Sequence, residues 1–237
     1  MKKILVTGAN GQLGQCLQKI SSQFEEFEFI FTDSETLDIT NKEEVNDFFW
    51  QNAPDFCINA AAYTAVDLAE TDIEKAFLVN ADGTENLAEA CAENNAQFIH
   101  VSTDYVFDGE NNLAYTEEDF TNPLGVYGAS KLAGDELALE VNPCSVILRT
   151  SWVYSEFGKN FVKTMLSLFA TKDELNIVAD QFGQPTNAND LAEAIMKIIK
   201  SEKITPGIFN FSNLGRISWF DFAEKIAGLS EAKIKLN

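Results

Sequence analysis

Short runs of β-branched and aromatic residues alternate with segments of helical length through the first 150 residues. The runs are KILVTG, FEFIFTD, DFCINA, QFIHVS and SVILRT, and segments such as GQLGQCLQKISS and NKEEVNDFFWQN separate them. Strands that alternate with helices in this way form a parallel sheet with helices on both faces. The alternation therefore predicts an α/β fold built on a doubly wound parallel sheet.

The segment TGANGQLG follows the first run and places Gly8, Gly11 and Gly14 at the spacing G-x-x-G-x-x-G. In a dinucleotide-binding turn, the first glycine permits the tight turn, the second lets a pyrophosphate approach the backbone, and the third lets the helix pack on the sheet. The N–H groups at the start of that helix would bind the phosphates. A strand-to-helix turn without a ligand is the alternative interpretation of the glycines alone.

Asp33 ends the second run, 19 residues after Gly14. Dinucleotide-binding folds hold the adenosine ribose with a carboxylate at this place, and such a carboxylate favours NAD over NADP because it repels a 2′-phosphate. An ordinary turn aspartate is the alternative, and Asp38 competes for a place near the adenine. Together with the glycines, Asp33 favours a Rossmann-type site for NADPH or NADH, with the choice between them open.

Beyond residue 150 the alternation becomes less regular. Helix-like FVKTMLSLFA, LAEAIMKIIK and SWFDFAEKIAGL are mixed with strand-like LNIVAD and GIFNFSN. We expect residues 1–150 to form the dinucleotide-binding core, with 187–212 adding to its sheet, and 151–186 with 213–237 to form a smaller substrate-binding lobe. Residues 72–94 repeat apolar side chains at helical spacing and predict one long core helix, with Gly83 allowing the close approach of another helix.

The segment YGASK places Tyr127 and Lys131 four residues apart, on one face of a helix that begins near Val126. Reduction of a ketone by hydride requires a proton donor, and a nearby ammonium makes a phenol a better acid. Thr103, in STD at the end of a strand, can hydrogen-bond the same carbonyl oxygen or merely cap its own strand. His100, the single histidine, is expected to be a packed strand residue and not a catalyst.

Charge and composition limit the partners of the chain. A formal charge of −20, from 37 acidic and 17 basic residues, disfavours nucleic acid and anionic membranes as partners. The sequence also has no apolar run of transmembrane length. The widely spaced Cys16, Cys57, Cys91 and Cys144 are expected to be buried thiols of a protein in the reducing cytoplasm.

TGANGQLG, STDYVFDG at 102–109, YGASK and RTSWVY at 149–154 together resemble the extended short-chain dehydrogenase/reductase superfamily. Within it the chain is similar to the dTDP-4-dehydrorhamnose reductases, and INAAAYTAVDLAE at 58–70 and the PT at 185–186 fit the same family. The resemblance implies hydride transfer from NADPH or NADH to carbon 4 of dTDP-4-dehydro-L-rhamnose, with Tyr127 protonating the oxygen. It also implies a homodimer, formed through the helix that carries YGASK.

The resemblance assigns roles to individual residues. The implied catalytic set is Thr103, Tyr127 and Lys131, and the implied substrate contacts are Thr103, Asp104 and Trp152. The cofactor site combines these implied contacts with the glycines and carboxylate found above: Gly8, Asn10, Gly11, Gln12, Leu13, Gly14, Asp33, Asp38, Ile39, Ala60, Ala61, Ala62, Thr64, Tyr127 and Lys131. Asn80 matches an asparagine that supports the active site in the superfamily, although a polar residue that kinks the helix is the alternative.

Some features separate this chain from its relatives. Asp104 is followed by Tyr105 where the 4,6-dehydratases have a glutamate, which disfavours dehydration, whereas a nucleotide-sugar epimerase remains an alternative. A non-catalytic regulatory subunit, like the beta subunit of methionine adenosyltransferase, is another. Some relatives bridge their dimer with magnesium through an acidic residue where this chain has Gln15, so no metal is expected. Family members usually extend further at the C-terminus, so the substrate lobe is expected to be shortened.

A dianionic sugar nucleotide would need basic side chains to offset the acidity of the chain. We expect Arg149, Lys159 or Arg216 to supply them near the pocket.

Overall fold

The computed structural model describes residues 1–111 and 113–237. A six-stranded sheet forms its centre, and every strand pairing in that sheet is parallel, as the alternation predicts. Its strands, in chain order, are β1 (Lys2–Thr7), β2 (Phe27–Phe31), β3 (Phe56–Asn59), β4 (Gln97–Thr103), β5 (Val146–Thr150) and β10 (Gly207–Asn210). The strand order across the sheet is β10-β5-β4-β3-β1-β2.

Helices cover both faces of this sheet. The longer α-helices of the described chain are α1 (Gln12–Ser21), α2 (Lys42–Asn52), α5 (Gly83–Glu93), α6 (Val126–Val141), α7 (Phe161–Phe169), α8 (Ala188–Ile199) and α9 (Trp219–Leu229). Helices α1 and α8 pack together on one face, and α2, α5 and α6 form the other layer. The strands are therefore buried on both sides, which explains their continuous apolar sequences.

The order in which the chain adds strands to the sheet reverses at β1. Strand β2 lies on one side of β1 and β3 lies on the other. In open parallel sheets, a crevice opens at the carboxyl ends of the strands where this reversal occurs, and ligands bind there. The glycine segment, which follows β1 directly, lies at that crevice.

Residues 72–94 do not form the single regular helix that the spacing predicts. Two short helices, α3 (Val66–Ala69) and α4 (Ile73–Phe77), lead into a π-helical turn over Leu78–Asp82, and α5 follows directly. Asn80, in this turn, accepts a hydrogen bond from the Tyr63 backbone N–H and donates to the Tyr63 carbonyl and to the Ser130 hydroxyl. The wider turn thus lets a buried amide bind two other segments, as π-bulges often do near functional sites.

The close approach of helices occurs at Gly134 of α6 and not at Gly83. A Cβ on Gly134 would lie 2.1 Å from the carbonyl oxygen of Asn80, whereas Gly83 faces the side chain of Ile39. Glycine at position 134 therefore allows α6 to pack directly on the π-helical turn.

The C-terminal third contributes the smaller elements. They are β6 (Val153–Tyr154), β7 (Glu174–Leu175), β8 (Phe182–Gly183), β9 (Thr186–Asn187), β11 (Ile217–Ser218) and β12 (Lys235–Leu236). Of the expected strand LNIVAD, residues 175–180, only Leu175 lies in a strand, the two-residue β7, which pairs with β12. A separate apolar cluster joins α7 and α9 around Met165 and Phe222.

The expectation of four buried thiols is wrong at one position. Cys16, Cys57 and Cys91 are buried, but Cys144 is exposed because it lies in the turn between α6 and β5 and not within the strand. Within the part of the chain that the structure describes, no helix has the length and apolar character needed to cross a membrane.

Candidate active site

A cleft of about 1080 Å³ opens at the carboxyl ends of β1, β3 and β4. The glycine loop forms one wall, the start of α6 forms the floor, and the turn after β5 contributes the opposite wall. This volume is at the upper end of ordinary ligand pockets, so a dinucleotide and a second ligand can share the cleft.

The glycine loop has the backbone geometry that a pyrophosphate requires. Gly8 has φ of +67°, and a Cβ at this position would lie 2.6 Å from the backbone of Ala60 and Ala61. A Cβ on Gly14 would lie 2.4 Å from the Gly8 carbonyl oxygen. Both positions therefore require glycine, the first for its conformation and the second for the packing of α1 against the loop.

Helix α1 presents its amino terminus to the cleft. Its N-cap is Gly11, and no side chain caps the first turn, while Gln12 and Leu13 line the cleft. The N–H groups of a first helical turn have no partner within the helix and carry the positive end of the helix dipole. The residues present thus fit the pyrophosphate of a dinucleotide.

Nearly all of the residues that the sequence singled out line this one cleft. They are Gly8, Asn10, Gly11, Gln12, Leu13, Asp33, Asp38, Ile39, Ala60, Ala61, Ala62, Thr64, Thr103, Asp104, Tyr127, Lys131 and Trp152. Gly14 lies behind the loop and does not line the cleft, which agrees with a packing role. The tertiary structure therefore brings together residues that are separated by up to 144 positions in the chain.

Asp33 lies just beyond β2 and makes local hydrogen bonds. Its carboxylate accepts from the Asn10 amide at 2.6 Å and from the Thr36 hydroxyl at 2.9 Å. The bond to Thr36 is the main cause that lowers the pKa of Asp33 below its usual value. Asp33 is thus a fixed anion at the end of the cleft beside β2.

Tyr127 and Thr103 lie together on the cleft floor. Burial raises the pKa of Tyr127 to about 12, and the Thr103 hydroxyl beside it acts in the opposite direction. The ring of Tyr105 meets that of Tyr127 edge to face, with centroids 5.5 Å apart. Tyr127 therefore carries its proton at neutral pH and can donate it.

Lys131 lies one helical turn further along α6 and is almost completely buried. Its Nζ lies 2.9 Å from Nε2 of His100 and donates to the Val101 carbonyl at 2.9 Å. Burial lowers the pKa of Lys131 to about 8, and the nearby Asp135 opposes this effect. His100 is buried within β4, as expected, but it contacts this lysine directly.

Asp104 is an acidic side chain at the same place. Burial raises its pKa to about 6, while its hydrogen bonds with the backbone and with Thr103 lower it. The Thr103 hydroxyl donates to Asp104 Oδ1 at 3.3 Å. The carboxyl of Asp104 therefore changes charge close to neutral pH.

Trp152 forms the wall of the cleft on the side of the smaller cluster. Its φ of +46° is in the left-handed region, and its ring stacks on Trp219 of α9 at 3.4 Å between centroids. A Cβ on Gly183 would lie 2.4 Å from the indole, so glycine at this position makes room for the ring. The stacking on Trp219 and the close approach of Gly183 thus hold the Trp152 ring in place.

The expected basic groups are divided between the cleft and the core. Lys159 is exposed at the cleft mouth. Arg149 is buried behind it and donates to Asp135 Oδ2 at 3.1 Å, so it does not offer its charge to a ligand. The guanidinium of Arg216 lies 4.8 Å from the centroid of the Phe182 ring, outside the cleft lining.

Some cleft residues were not singled out as ligand contacts in the sequence. Lys75 of α4, Tyr63 and Tyr105 line the cleft, and the segments INAAAYTAVDLAE and STDYVFDG contain the two tyrosines without marking them as contacts. Across residues 1–111 and 113–237, no three His, Cys, Asp or Glu side chains group closely enough to hold a metal ion.

A parallel sheet whose strand order reverses beside a glycine loop, together with a cleft floor of threonine, tyrosine and lysine, defines a Rossmann-type protein of the extended short-chain dehydrogenase/reductase class. The profile of the RmlD substrate binding domain family matches residues 1–236. The chain belongs to this family.

Relatives of known name agree with this assignment. The dTDP-4-dehydrorhamnose reductase of Aggregatibacter actinomycetemcomitans is 46% identical over 94% of this chain and 77% of its own length. The crystal structure of a dTDP-4-dehydrorhamnose reductase from Clostridium acetobutylicum is 45% identical, covers 99% of this chain and 82% of its own, and has a TM-score of 0.95. The Bacillus anthracis enzyme of that name, crystallised with NADP, is 40% identical with a TM-score of 0.96 over 100% of this chain and 84% of its own.

Proposed function

We propose that this protein is an NAD(P)H-dependent reductase that converts the 4-keto group of dTDP-4-dehydro-L-rhamnose to the hydroxyl of dTDP-L-rhamnose. The observation that carries the proposal is the position of Tyr127 and Lys131 on the floor of the cleft whose wall is the glycine loop. The names of the relatives supply the substrate.

In this proposal, a bound nicotinamide supplies the hydride that forms the new bond to carbon 4. The electron pair of the C=O double bond moves to oxygen, and Tyr127 transfers its phenolic proton to that oxygen. Thr103 orients the carbonyl by hydrogen bonding, and the Lys131 ammonium stabilises the phenolate that remains. Trp152 and Asp104 contact the sugar.

The cofactor is held along the wall that the glycine loop forms. The backbone of Gly11, Gln12 and Leu13 binds the pyrophosphate, and Asp33 faces the adenosine ribose. Asp33 favours NADH by repelling a 2′-phosphate, whereas the Bacillus anthracis relative contains NADP. The proposal therefore includes both cofactors, and Asp33→Asn should raise the kcat/KM ratio of NADPH to NADH.

We also propose that residues 1–150 form the cofactor-binding part and that 151–186 with 213–237 form the substrate-binding lobe. A homodimer formed through α6 and a location in the cytoplasm complete the proposal. Light scattering of the purified protein tests the dimer, and a monomeric mass at assay concentration would contradict it.

A single assay tests the activity. The purified protein is mixed with dTDP-4-dehydro-L-rhamnose and either NADPH or NADH, and the loss of nicotinamide absorbance is followed together with formation of the reduced sugar. We expect oxidation of at least one cofactor in step with product. A folded protein that oxidises neither cofactor would overturn the reductase proposal, and conversion of the substrate to an isomer without net cofactor oxidation would indicate an epimerase.

A further inference from the structure

A row of buried polar side chains crosses the sheet beneath the cleft. The strand register places Thr7 beside Asn59 and Asn59 beside His100. The Thr7 hydroxyl donates to Asn59 Oδ1 at 2.8 Å, Asn59 Nδ2 lies 3.1 Å from His100 Nδ1, and His100 Nε2 lies 2.9 Å from Lys131 Nζ. The row therefore connects the start of the glycine loop to Lys131.

The orientation of the Asn59 amide is fixed by a backbone donor. Its Oδ1 accepts from the N–H of Ala61 at 3.1 Å, in addition to the Thr7 hydroxyl. A backbone N–H only donates, so the oxygen of the amide must lie on that side and the NH₂ group must face His100. Asn59 thus presents a donor to Nδ1 of the imidazole.

This donor determines the tautomer of His100. Because Nδ1 must accept, the proton of the neutral ring is on Nε2, directly opposite Lys131. Burial, with the Lys131 charge as a second cause, lowers the pKa of His100 well below its usual value, so the ring is neutral. An Nε2–H that faces Lys131 can hydrogen-bond only to an unprotonated amine.

We propose that Asn59 and His100 are positioning residues that set the proton count of Lys131, with Asp135 as the second acceptor for the His100 N–H. This inference rests on the proposed function, in which Lys131 acts on Tyr127. In one state the Lys131 amine is neutral and accepts from His100. In the other state Lys131 is an ammonium that donates to Val101 and to a hydroxyl bound in the cleft, and His100 donates to Asp135.

The second acceptor is already in place. Asp135 Oδ1 lies 3.8 Å from His100 Nε2. This oxygen is buried and has no hydrogen-bond partner among the residues that the structure describes. Burial raises the pKa of Asp135, whereas Lys131, the nearby Ser102 hydroxyl and the paired Arg149 act in the opposite direction and favour its carboxylate form. A small movement of the imidazole or the carboxylate would complete the bond.

Both states of Lys131 are accessible near neutral pH. The pKa of about 8 places the two protonation states close in free energy, so one hydrogen bond changes their ratio. The titratable and charged groups around Lys131 come from β4, the turn after it, α6 and β5, and are His100, Asp104, Tyr127, Asp135 and Arg149. Among these, only His100 contacts the lysine nitrogen directly in the described contacts.

The tautomer can be measured without any turnover, because His100 is the only histidine of the chain. The protein is labelled with ¹⁵N-histidine, purified without a histidine tag, and its two-bond ¹H–¹⁵N correlation spectrum is recorded at pH 7 in the absence of ligands. We expect one imidazole with its proton on Nε2. A proton on Nδ1, or on both nitrogens, would overturn the inference.

Asn59→Asp should reverse the tautomer. A carboxylate at this position keeps the acceptors for Thr7 and Ala61 but cannot donate, so His100 Nδ1 must carry the proton and Nε2 becomes an acceptor for the Lys131 ammonium. The matched control is Thr84→Val, which removes the other partner of Asn59 Nδ2, 3.3 Å away and equally buried, and leaves the donor to His100 in place. A wild-type tautomer in folded Asn59→Asp would contradict the proposal, and if that variant does not fold, the wild-type spectrum alone decides.

The rate profile then tests the link to Lys131. In the proposed reaction, kcat/KM falls as pH rises through the pKa of Lys131, because the neutral amine no longer stabilises the phenolate of Tyr127. We expect this alkaline limb at higher pH in Asn59→Asp and unchanged in Thr84→Val, whereas a purely structural role would lower the rate equally at every pH. A reversed tautomer in Asn59→Asp together with an alkaline limb at the wild-type pH would overturn the inference. A wild-type protein without turnover would overturn the proposed function, and the histidine spectrum would then decide the inference by itself.

Discussion

Asp135 of α6 and Arg149 of β5 form an ion pair at 3.1 Å that is almost completely buried behind the cleft. The carboxylate also acts on Lys131, whose pKa it raises against the effect of burial. This pair therefore links the helix that carries the tyrosine and lysine to the strand that leads to Trp152. We therefore expect that removing one partner of this pair lowers the free energy of unfolding substantially.

Arg149→Met should lower the free energy of unfolding by about 3–5 kcal/mol, because it leaves the Asp135 carboxylate buried without its partner. Urea unfolding followed by tryptophan fluorescence measures the change. The double variant Asp135→Asn with Arg149→Met should recover much of the loss. Lys19→Met, which removes an exposed pair with Glu156, is the control and should leave the unfolding midpoint near that of the wild type. Equal midpoints for Arg149→Met and Lys19→Met would contradict the prediction.

Tyr127→Phe should reduce kcat by about 10²–10⁴-fold, the usual contribution of a general acid. The ring and its contact with Tyr105 remain, so the affinity for NADPH or NADH should stay close to that of the wild type. Turnover is measured by nicotinamide absorbance and binding by quenching of protein fluorescence. A variant that turns over at the wild-type rate would show that another group supplies the proton.

Gly14→Ala should weaken cofactor binding by about tenfold or more and reduce stability by about 1–3 kcal/mol, because its Cβ would lie against the backbone of the glycine loop. Gly228→Ala is the matched control: it lies in α9, and a Cβ there meets nothing within 4 Å. Alanine is the better helix former, so Gly228→Ala should be neutral or stabilising by up to about 1 kcal/mol. Thermal unfolding and cofactor titration measure both variants. Equal effects in Gly14→Ala and Gly228→Ala would show that the losses come from replacing a glycine in general and not from the packing of the glycine loop.

Titration of Asp104 should make kcat/KM depend on pH in the region near pH 6. Its carboxyl, with a pKa of about 6, is neutral below that pH and charged above it, and the charged form raises the pKa of Tyr127. The rate should therefore fall severalfold as pH rises through about 6, since a weaker acid faces the substrate oxygen. Asp104→Asn should remove this step, and Asp108→Asn, outside the cleft, should keep it. Retention of the step in Asp104→Asn would assign it to another group.

Local signals in the sequence were sufficient to predict many of the residues that line the cleft. Gly8 and Gly14 stand next to a short apolar strand, and Tyr127 and Lys131 stand one helical turn apart, so their placement depends only on nearby residues. The alternation of strands and helices then put both motifs at the same edge of a parallel sheet, since the carboxyl ends of parallel strands meet there. The sequence missed Lys75 and Tyr63, because the helical spacing of 72–94 and the segment INAAAYTAVDLAE do not mark these two side chains as cleft residues.

By itself, the sequence determined the strands of the central sheet, most of the helices around it and the turn whose glycines fit a phosphate, because these depend on short-range periodicity and on the backbone freedom of glycine. Only the tertiary structure decided that His100 contacts Lys131, that Arg149 is turned into the core, and that Asn80 requires a π-helical turn. Each of these depends on the register of strands or helices that are far apart in the chain. Such a register is fixed when distant segments pack against one another, because burial of one face selects among the pairings that the apolar pattern allows.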